Sequence, residues 1–339
     1  MASRLLGSCG ATHLTPVLSP RKRAERERMA VDDLAIAMAG QPHPHLVVDD
    51  IERLIQLDVG RHVTALFEAA RGGLWSAASA LTSAPSARVG LITGFYVPMG
   101  SPPAAETDGP VGAALLAKGL AEVGISCRLA TDEPCHSACA AALAGAEAPG
   151  VPVDTTEVAA TIATWRRAGI THAISIERCG RSADGAPRNM RGLDISSYTA
   201  PLDELFTAGP WETIAIGDGG NEIGMGSLSR ELIAQHVEHG ETIACVTPAR
   251  HLIVAGVSNW GAYALLGALA ALRADWRERL LACLDEKLDQ TVLEATVNNG
   301  PAVDGVSRLR TMTVDNLEMI IHHSKLREIR ALVQAGHAV

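Results

Sequence analysis

Residues 217–226, GDGGNEIGMG, place two carboxylates and an amide among five glycines, directly after the apolar run at residues 213–216. Glycine allows left-handed backbone and lets a ligand approach the main chain closely. The side chains of Asp218 and Glu222 would repel a phosphate unless a cation lay between them. The segment therefore predicts a site for a metal ion or another cationic group.

Other acidic residues also follow predicted strands, which we place at residues 88–93, 125–130, 172–176 and 213–216. The acids that follow them in turn are Glu106 and Asp108, Asp132 and Glu133, Glu177, and Asp218 and Glu222. Because parallel strands end at one edge of a sheet, we expect these acids to converge there. Clustered carboxylates either have raised pKa values or are neutralised by a cation, and Mg²⁺ and Mn²⁺ are the hard ions that prefer oxygen ligands. For Asp108 alone, helix capping is an equally good interpretation.

Strands that alternate with helices indicate an α/β fold, with a mainly parallel sheet covered by helices on both faces. Two further strands are predicted, at residues 242–246 and 252–255. Predicted helices begin at Asp49 and cover residues 63–81, 111–123, 156–168, 259–272 and 276–290. This arrangement puts the active edge of the sheet at the carboxyl ends of its strands.

The long loop after Glu177 is rich in arginine and glycine, and its arginines are Arg178, Arg181, Arg188 and Arg191. Guanidinium groups bind carboxylates or phosphates through paired hydrogen bonds, although solvated charge in an acidic protein explains the same pattern. The glycine-rich segment matches no nucleotide motif, because Glu222 replaces the last glycine of G-x-G-x-x-G and Met225-Gly226 replaces the Lys-Ser/Thr of a P-loop. We therefore expect no nucleotide cofactor.

Composition limits the partners of the chain. Its net charge of −9 argues against a nucleic-acid surface, and it lacks an apolar run long enough to span a membrane. Seven scattered cysteines are typical of a reduced, cytoplasmic protein. Residues 1–45 are interpreted as a disordered leader with Met29 as an alternative start, and residues 46–339 as a single domain. The alternative for the Arg-rich leader is a mitochondrial transit peptide.

Five ordered motifs give the chain a family resemblance. They are ETDGPVG at residues 106–112, ERCGR at 177–181, NMRGLD at 189–194, GDGGNEIGMG at 217–226 and SNWG at 258–261. Over residues 49–322 the chain resembles the D-glutamate cyclase family in its C-terminal domain. Asn316 departs from the pattern, since the family has glycine in the corresponding Thr-Val-Asp-Gly turn.

The resemblance implies that D-glutamate is converted to 5-oxo-D-proline with loss of water. On this hypothesis Asp108, Asp218 and Glu222 hold a divalent cation, Mg²⁺ or Mn²⁺, and Glu177 is the general base. Arg178 or Arg191 binds the α-carboxylate, and Asn221 with the amides of Gly219 and Gly220 contacts the reacting oxygen. Arg181 and Asn189 are further substrate-binding candidates.

Two alternatives use the same residues. Acids that hold a divalent metal beside arginines also suit a phosphatase acting on small phosphoesters. The third hypothesis is a non-catalytic module that binds an acidic metabolite. In all three cases the expected ligand is a small acidic metabolite, without nucleic acid or membrane, and the chain is a candidate homo-oligomer.

Overall fold

Six parallel strands form the central sheet of the computed structural model, which describes residues 43–84, 86–155 and 157–336. The sheet order is β5-β4-β1-β6-β7-β8. Its strands are β1 (Arg88–Thr93), β4 (Ser126–Ala130), β5 (Val153–Asp154), β6 (His172–Ile176), β7 (Glu212–Gly217) and β8 (His251–Val254). Two antiparallel hairpins lie outside the sheet: β2 (Tyr96–Val97) pairs with β3 (Ala104–Ala105), and β9 (Thr313–Val314) with β10 (Leu317–Glu318).

Helices connect the strands and cover the sheet. In chain order they are α1 (Pro44–Ile55), α2 (Thr64–Ala69), α3 (Gly73–Ser83), α4 (Pro110–Glu122), α5 (Glu133–Gly145), α6 (Val158–Ala168), α7 (Leu202–Thr207), α8 (Arg230–His236), α9 (Gly240–Ile243), α10 (Ser258–Leu272), α11 (Arg277–Cys283), α12 (Glu286–Asn298) and α13 (Met319–Ala335). A short 3₁₀ turn covers Ser196–Tyr198. None of the helices in these described ranges has the length and apolar character needed to cross a bilayer.

Alternate residues of each strand supply two separate cores, as the two-residue period of a strand requires. Leu91 and Ile174 pack in the larger cluster with α4 and α10, whereas Ile92 and Ala173 pack in the second with Trp165 of α6. The sheet therefore has helices on both faces, and the predicted α/β class is confirmed.

Helix α10 is the central element of the larger core. Its residues Ser258 through Ala271 are all buried, so it has no solvent face, as expected for a helix that is apolar all round. Because it follows β8 directly, its N-terminus lies at the carboxyl edge of the sheet. That position determines much of the chemistry described below.

Three predicted elements differ from the structure. The helix predicted at residues 63–81 is two helices, α2 and α3, separated at Gly72 with a φ of 86°. The helix predicted at residues 276–290 is interrupted where Asp285 caps α12 by accepting the amide of Leu288. Glycine in the left-handed region and an aspartate cap both end a continuous helix.

The strand predicted at residues 242–246 is wrong. Helix α9 covers the first part of the run, and the amides of Cys245 and Val246 donate to the carbonyls of Gly220 and Arg181. The end of this run therefore forms hydrogen bonds with two loops and does not pair with a strand of the sheet. At the other end of the chain, the predicted leader falls outside the described residues up to residue 42, and α1 already begins at Pro44, ahead of Asp49.

Candidate functional site

Three acids from distant parts of the sequence meet at the carboxyl edge of the sheet. Glu177 directly follows β6, Asp218 directly follows β7, and Asp108 precedes α4. One carboxylate oxygen from each of the three lies within 4.8 Å of the other two. All three side chains are buried. The structure therefore brings together acids whose convergence the strand pattern predicts.

The N-terminus of α10 binds all three carboxylates. The amide of Ser258 donates to Asp108 Oδ2 at 2.9 Å and to Asp218 Oδ2 at 3.1 Å, and the amide of Asn259 donates to Asp108 Oδ1 at 2.8 Å. The Ser258 hydroxyl donates to Glu177 Oε2 at 2.5 Å. A helix N-terminus carries a partial positive charge, so α10 offsets part of the negative charge of the acids.

Arg61, in the loop between α1 and α2, is a site residue that the sequence patterns do not identify. Its Nη1 donates to Asp218 Oδ2 and to the Gly256 carbonyl, both at 3.0 Å, and its Nη2 lies 2.8 Å from Asp315 Oδ1. Only 17% of its side chain is exposed. A weak local signal exists, because Asp58 in the D-x-G-R run accepts the amide of Arg61 and shapes the loop.

Asp315 is the second residue missed. It lies in the turn between β9 and β10, where Asp315 has a φ of 54° and Asn316 a φ of 60°. Two left-handed residues form the type I′ hairpin turn, which asparagine and aspartate tolerate. The asparagine that replaces the family's glycine thus still permits the turn, and the amide of Asn316 is fixed by Asp304 Oδ2 at 2.7 Å.

Six buried carboxyl groups lie in and around this cluster: Glu106, Asp108, Glu177, Asp218, Glu222 and Asp315. Within the described part of the chain, the structure pairs them with a single guanidinium, that of Arg61. Glu106 is packed so closely that a side chain on Gly305 would place its Cβ 2.0 Å from Glu106 Oε2. The cluster therefore carries an excess of negative charge that protons or a cation must balance.

The pKa values follow from this arrangement. Burial raises the pKa of Glu177 well above its usual value, and the nearby charges of Asp218 and Glu222 raise it further. Burial, with the charge of Asp315, raises the pKa of Asp108 to about 7. Burial also raises the pKa of Asp218, although Arg61 opposes that rise. A cation placed among these groups would reverse the shifts.

Glu222 does not join the three acids. Its two carboxylate oxygens accept the amides of Gly219 and Gly220, each at 2.8 Å, so the side chain closes its own loop. Among described residues, the acids close enough to share one ion are Asp108, Glu177 and Asp218. The amides predicted to contact a reacting oxygen are thus already bound to Glu222.

The arginine-rich loop contributes unevenly. Arg178 is buried, lies 2.6 Å from Asp132 and donates to the carbonyls of Gly94 and Ala200 at 2.7 Å, so it braces the loop and does not line the cavity. Arg181 is half exposed, with its Nε 3.4 Å from Asp203. In the structure, both side chains thus pair with other residues and do not contact the three acids.

Asn189 and Arg191 do line the cavity above the acids, which has a volume of about 320 Å³. Glu177, Asp218 and Arg61 also border it. Asn221 lies outside the lining, where its Nδ2 donates to the Arg188 carbonyl at 2.8 Å. The site thus combines a buried acidic floor with two guanidinium groups, a combination suited to a small molecule bearing both ammonium and carboxylate groups.

Comparison with known proteins gives the same family. Residues 51–330 match the sequence model of the family described as D-glutamate cyclase-like, C-terminal. Over 274 residues the chain is 32% identical to the human protein named D-glutamate cyclase, mitochondrial. That match covers 75% of this chain and 44% of the human protein, so the chain spans less than half of its length. The resemblance found in the motifs is confirmed, and the chain belongs to the D-glutamate cyclase-like family, through its C-terminal domain.

Proposed function

We propose that this protein cyclises D-glutamate to 5-oxo-D-proline with release of water. The observation that carries the proposal is the meeting of Asp108, Glu177 and Asp218 beneath a cavity that Arg61 and Arg191 border. The curated human relative carries the name of the same activity, although this chain covers only 44% of it.

The reaction requires the substrate ammonium group to lose a proton before its nitrogen attacks the γ-carboxylate carbon. Glu177 is the proposed base, because its buried carboxyl group borders the cavity, where it can reach the ammonium group of a bound substrate. The Ser258 hydroxyl fixes one oxygen of Glu177, which leaves the other for the proton. Arg191 is the proposed partner of the substrate α-carboxylate.

Positioning supplies much of the rate in this proposal, since attack within one molecule needs only the correct geometry. Arg61 pairs with Asp218 and Asp315, which reduces the negative charge that the substrate carboxylates would meet at the acids. Arg191 and Asn189 line the same cavity, and in this proposal they orient the carboxylate end of the substrate.

The acids fit a divalent cation. Six buried carboxyl groups paired with one guanidinium leave negative charge unbalanced, and carboxylate oxygens are the ligands that Mg²⁺ and Mn²⁺ prefer. Asp108 and Asp218 are the proposed ligands, in place of a set that includes Glu222, because Glu222 lies outside the group of described acids whose oxygens are close enough to share one ion. When bound, the cation would stabilise negative charge on the substrate γ-carboxylate.

The test uses purified full-length chain, metal analysis, and D- or L-glutamate followed by chromatography for the lactam. We expect 5-oxo-D-proline from D-glutamate, and loss of both metal and turnover in Asp218→Asn. The exposed Asp275 provides a matched Asp→Asn control that should keep both. Phosphate release from small phosphoesters with D-glutamate untouched would support the phosphatase instead. Thermal stabilisation by D-glutamate without turnover would support the binding module.

Localisation is a separate proposal. The human relative is named as mitochondrial, and residues 1–28 of this chain are rich in arginine with no acid before Glu25. The primary proposal remains the cytoplasm, with a transit peptide as the alternative. Imaging of a C-terminal fluorescent fusion, with and without residues 1–28, separates them: mitochondrial signal that depends on those residues would overturn the cytoplasmic proposal.

A further inference from the structure

We infer that this protein has a second catalytic site, at the opposite edge of the sheet from the acids, where Ser76 is the nucleophile that hydrolyses uncharged esters of small carboxylic acids. The inference goes beyond the proposed function and does not depend on it, because it uses none of the residues that line the acidic cavity. It is carried by three side chains, Ser76, Glu212 and His251, which are joined by hydrogen bonds and border a separate cavity.

The position of these side chains follows from the sheet. Glu212 is the first residue of β7 and His251 the first residue of β8, and these two strands are neighbours. Both residues therefore lie at the amino edge of the sheet, whereas Asp218 follows the carboxyl end of β7. Asp218 comes six positions after Glu212, which corresponds to about 20 Å at the rise of an extended strand. The two sites are thus distinct.

The hydrogen bonds run from Ser76, on α3, through the imidazole of His251 to Glu212. The Oγ of Ser76 is 2.6 Å from His251 Nδ1, and His251 Nε2 is 2.8 Å from Glu212 Oε1. A carboxylate only accepts hydrogen bonds, so the imidazole carries its proton on Nε2 and donates it to Glu212. Nδ1 is then unprotonated and accepts the hydrogen bond of the Ser76 hydroxyl. A nucleophile, a base and a group that orients the base are thus joined in order.

Glu212 is held in the ionised form that this arrangement needs. The hydrogen bond from His251 lowers the pKa of Glu212 and the positive charge of Arg250 lowers it further, although burial opposes both. Nε of Arg250 lies 3.1 Å from the same Oε1 atom. Glu212 therefore remains a carboxylate at neutral pH, where it stabilises the imidazolium that forms when His251 takes the proton of Ser76.

The cavity beside these three side chains has a volume of about 570 Å³. Its other lining residues are Trp75, Ser79, Ala80, Ser83, Ala84 and His172. The lining, all of it within the described ranges, contains no lysine or arginine, and Glu212 is its only carboxylate. A carboxylate beside the nucleophile repels an anionic substrate, and no cation in the lining offsets it. The lining therefore favours an uncharged ester, whose acyl group lies against the apolar side chains.

Ser79 supplies the hydrogen bond that the ester carbonyl oxygen needs. It lies three residues after Ser76 on α3, so the two hydroxyl groups share one face of the helix, and both border the cavity. Negative charge develops on the carbonyl oxygen when Oγ attacks, and a positioned donor stabilises that charge.

The bond changes balance with water as the second reactant. Ser76 Oγ forms a bond to the ester carbonyl carbon and passes its proton to His251 Nδ1, which gives that proton to the alcohol oxygen as the bond from carbon to this oxygen breaks. Water then attacks the acyl-serine, a proton returns through Nδ1 to Oγ, and the bond from carbon to Oγ breaks. One ester and one water give one carboxylic acid and one alcohol, and nothing is oxidised or reduced.

The test uses the purified chain and p-nitrophenyl acetate. Release of p-nitrophenol is followed by absorbance, and peptide mass spectrometry after an acid quench locates the acetyl group. We expect repeated turnover, with the acetyl group on Ser76 of the wild-type chain. Because this adduct is read on the wild-type protein, the result does not depend on how well any variant folds.

Variants assign the roles of the side chains. Ser76→Ala should abolish the adduct and lower the rate above the protein-free background by about a hundredfold or more. Glu212→Gln keeps the size of the side chain but not its charge, and should lower kcat by about tenfold or more while KM changes less than about twofold. Ser79→Ala should also slow acetylation by about tenfold or more. Ser324→Ala, on α13 and outside the cavity lining, is the matched serine control and should change neither adduct nor rate.

The remaining outcomes overturn the inference. An acetyl group found on other residues but not on Ser76 would show that the three side chains only connect α3 to the sheet. Acetylation of Ser76 without repeated turnover would remove the hydrolysis step, and a kcat unchanged in Glu212→Gln would remove the role of the carboxylate. Formation of 5-oxo-D-proline from D-glutamate is measured separately in each preparation, so failure of this inference leaves the proposed function intact, and the reverse also holds.

Discussion

Replacing Arg61 with glutamine tests the charge balance of the site most sharply. The guanidinium lies 3.0 Å from Asp218 and 2.8 Å from Asp315, with only 17% of the side chain exposed. At an effective dielectric constant of about 20, each pair contributes roughly 5 kcal/mol of attraction, much of which desolvation offsets. Removing one partner of a buried pair leaves the other uncompensated, so we expect a loss of about 3–5 kcal/mol at about pH 8.

The loss should shrink at low pH. The pKa of Asp218 is already raised by burial, and loss of Arg61 removes the group that opposes the rise. The folded variant therefore binds more protons than the folded wild type, and its stability relative to wild type falls as pH rises. Arg61 also lowers the pKa of Asp108, which burial raises to about 7, so loss of Arg61 should raise that pKa further, and the difference should develop as pH rises from about 5 to about 8.

Urea unfolding at the two pH values measures these differences. Arg53→Gln is the matched control, because Arg53 is 48% exposed and pairs with Asp49 and Asp50 on the surface of α1. Its loss should stay within about 0.5 kcal/mol at both pH values. A loss below about 1 kcal/mol for Arg61→Gln at about pH 8, or an equal loss at both pH values, would refute the reasoning.

Three further substitutions test other parts of the structure. Burial raises the pKa of Asp289 to about 7, so the folded protein binds a proton at Asp289 more tightly than the unfolded chain, and its stability falls as pH rises from about 4 to 7. Asp289→Asn should therefore stabilise the protein above about pH 7 by up to roughly 4 kcal/mol, and urea unfolding should show a flatter dependence of stability on pH. Gly224→Ala places a Cβ 2.1 Å from that of Ala215 at a φ of +102°, and should cost about 3 kcal/mol or more, against about 1 kcal/mol for Gly124→Ala, where nothing lies within 4 Å. Glu222→Gln weakens the bonds to two loop amides, and should lower stability by about 1–3 kcal/mol while bound Mn²⁺ per chain, measured by dialysis, stays constant.

The sheet and the meeting of the acids could be predicted because both depend on simple periodic patterns. Short apolar runs mark β1, β6 and β7, and parallel strands fix the edge at which their carboxyl ends lie. Glu177 and Asp218 each directly follow a strand, so the fold alone places them side by side. Their convergence needed no knowledge of side-chain contacts.

Arg61 and Asp315 could not be predicted in the same way. Each lies in a loop that has no periodic pattern of apolar residues. The two residues meet through tertiary packing, because the loop after α1 and the β9–β10 hairpin are more than 250 residues apart in the sequence. The contacts of Glu222 and Arg178 could not be predicted for the opposite reason. Both lie beside the site in sequence, but local hydrogen-bond donors and acceptors already engage their side chains.

The most direct test of the account measures bound Mn²⁺ and the rate of 5-oxo-D-proline formation in the same preparation of Glu177→Gln. Glu177 is the proposed base, whereas Asp108 and Asp218 are the proposed ligands. We therefore predict that the variant keeps about as much Mn²⁺ as wild type but forms the lactam at least about a hundredfold more slowly. Lactam formation at the wild-type rate would contradict the account, since the buried carboxylate beside the cavity would then have no part in the reaction.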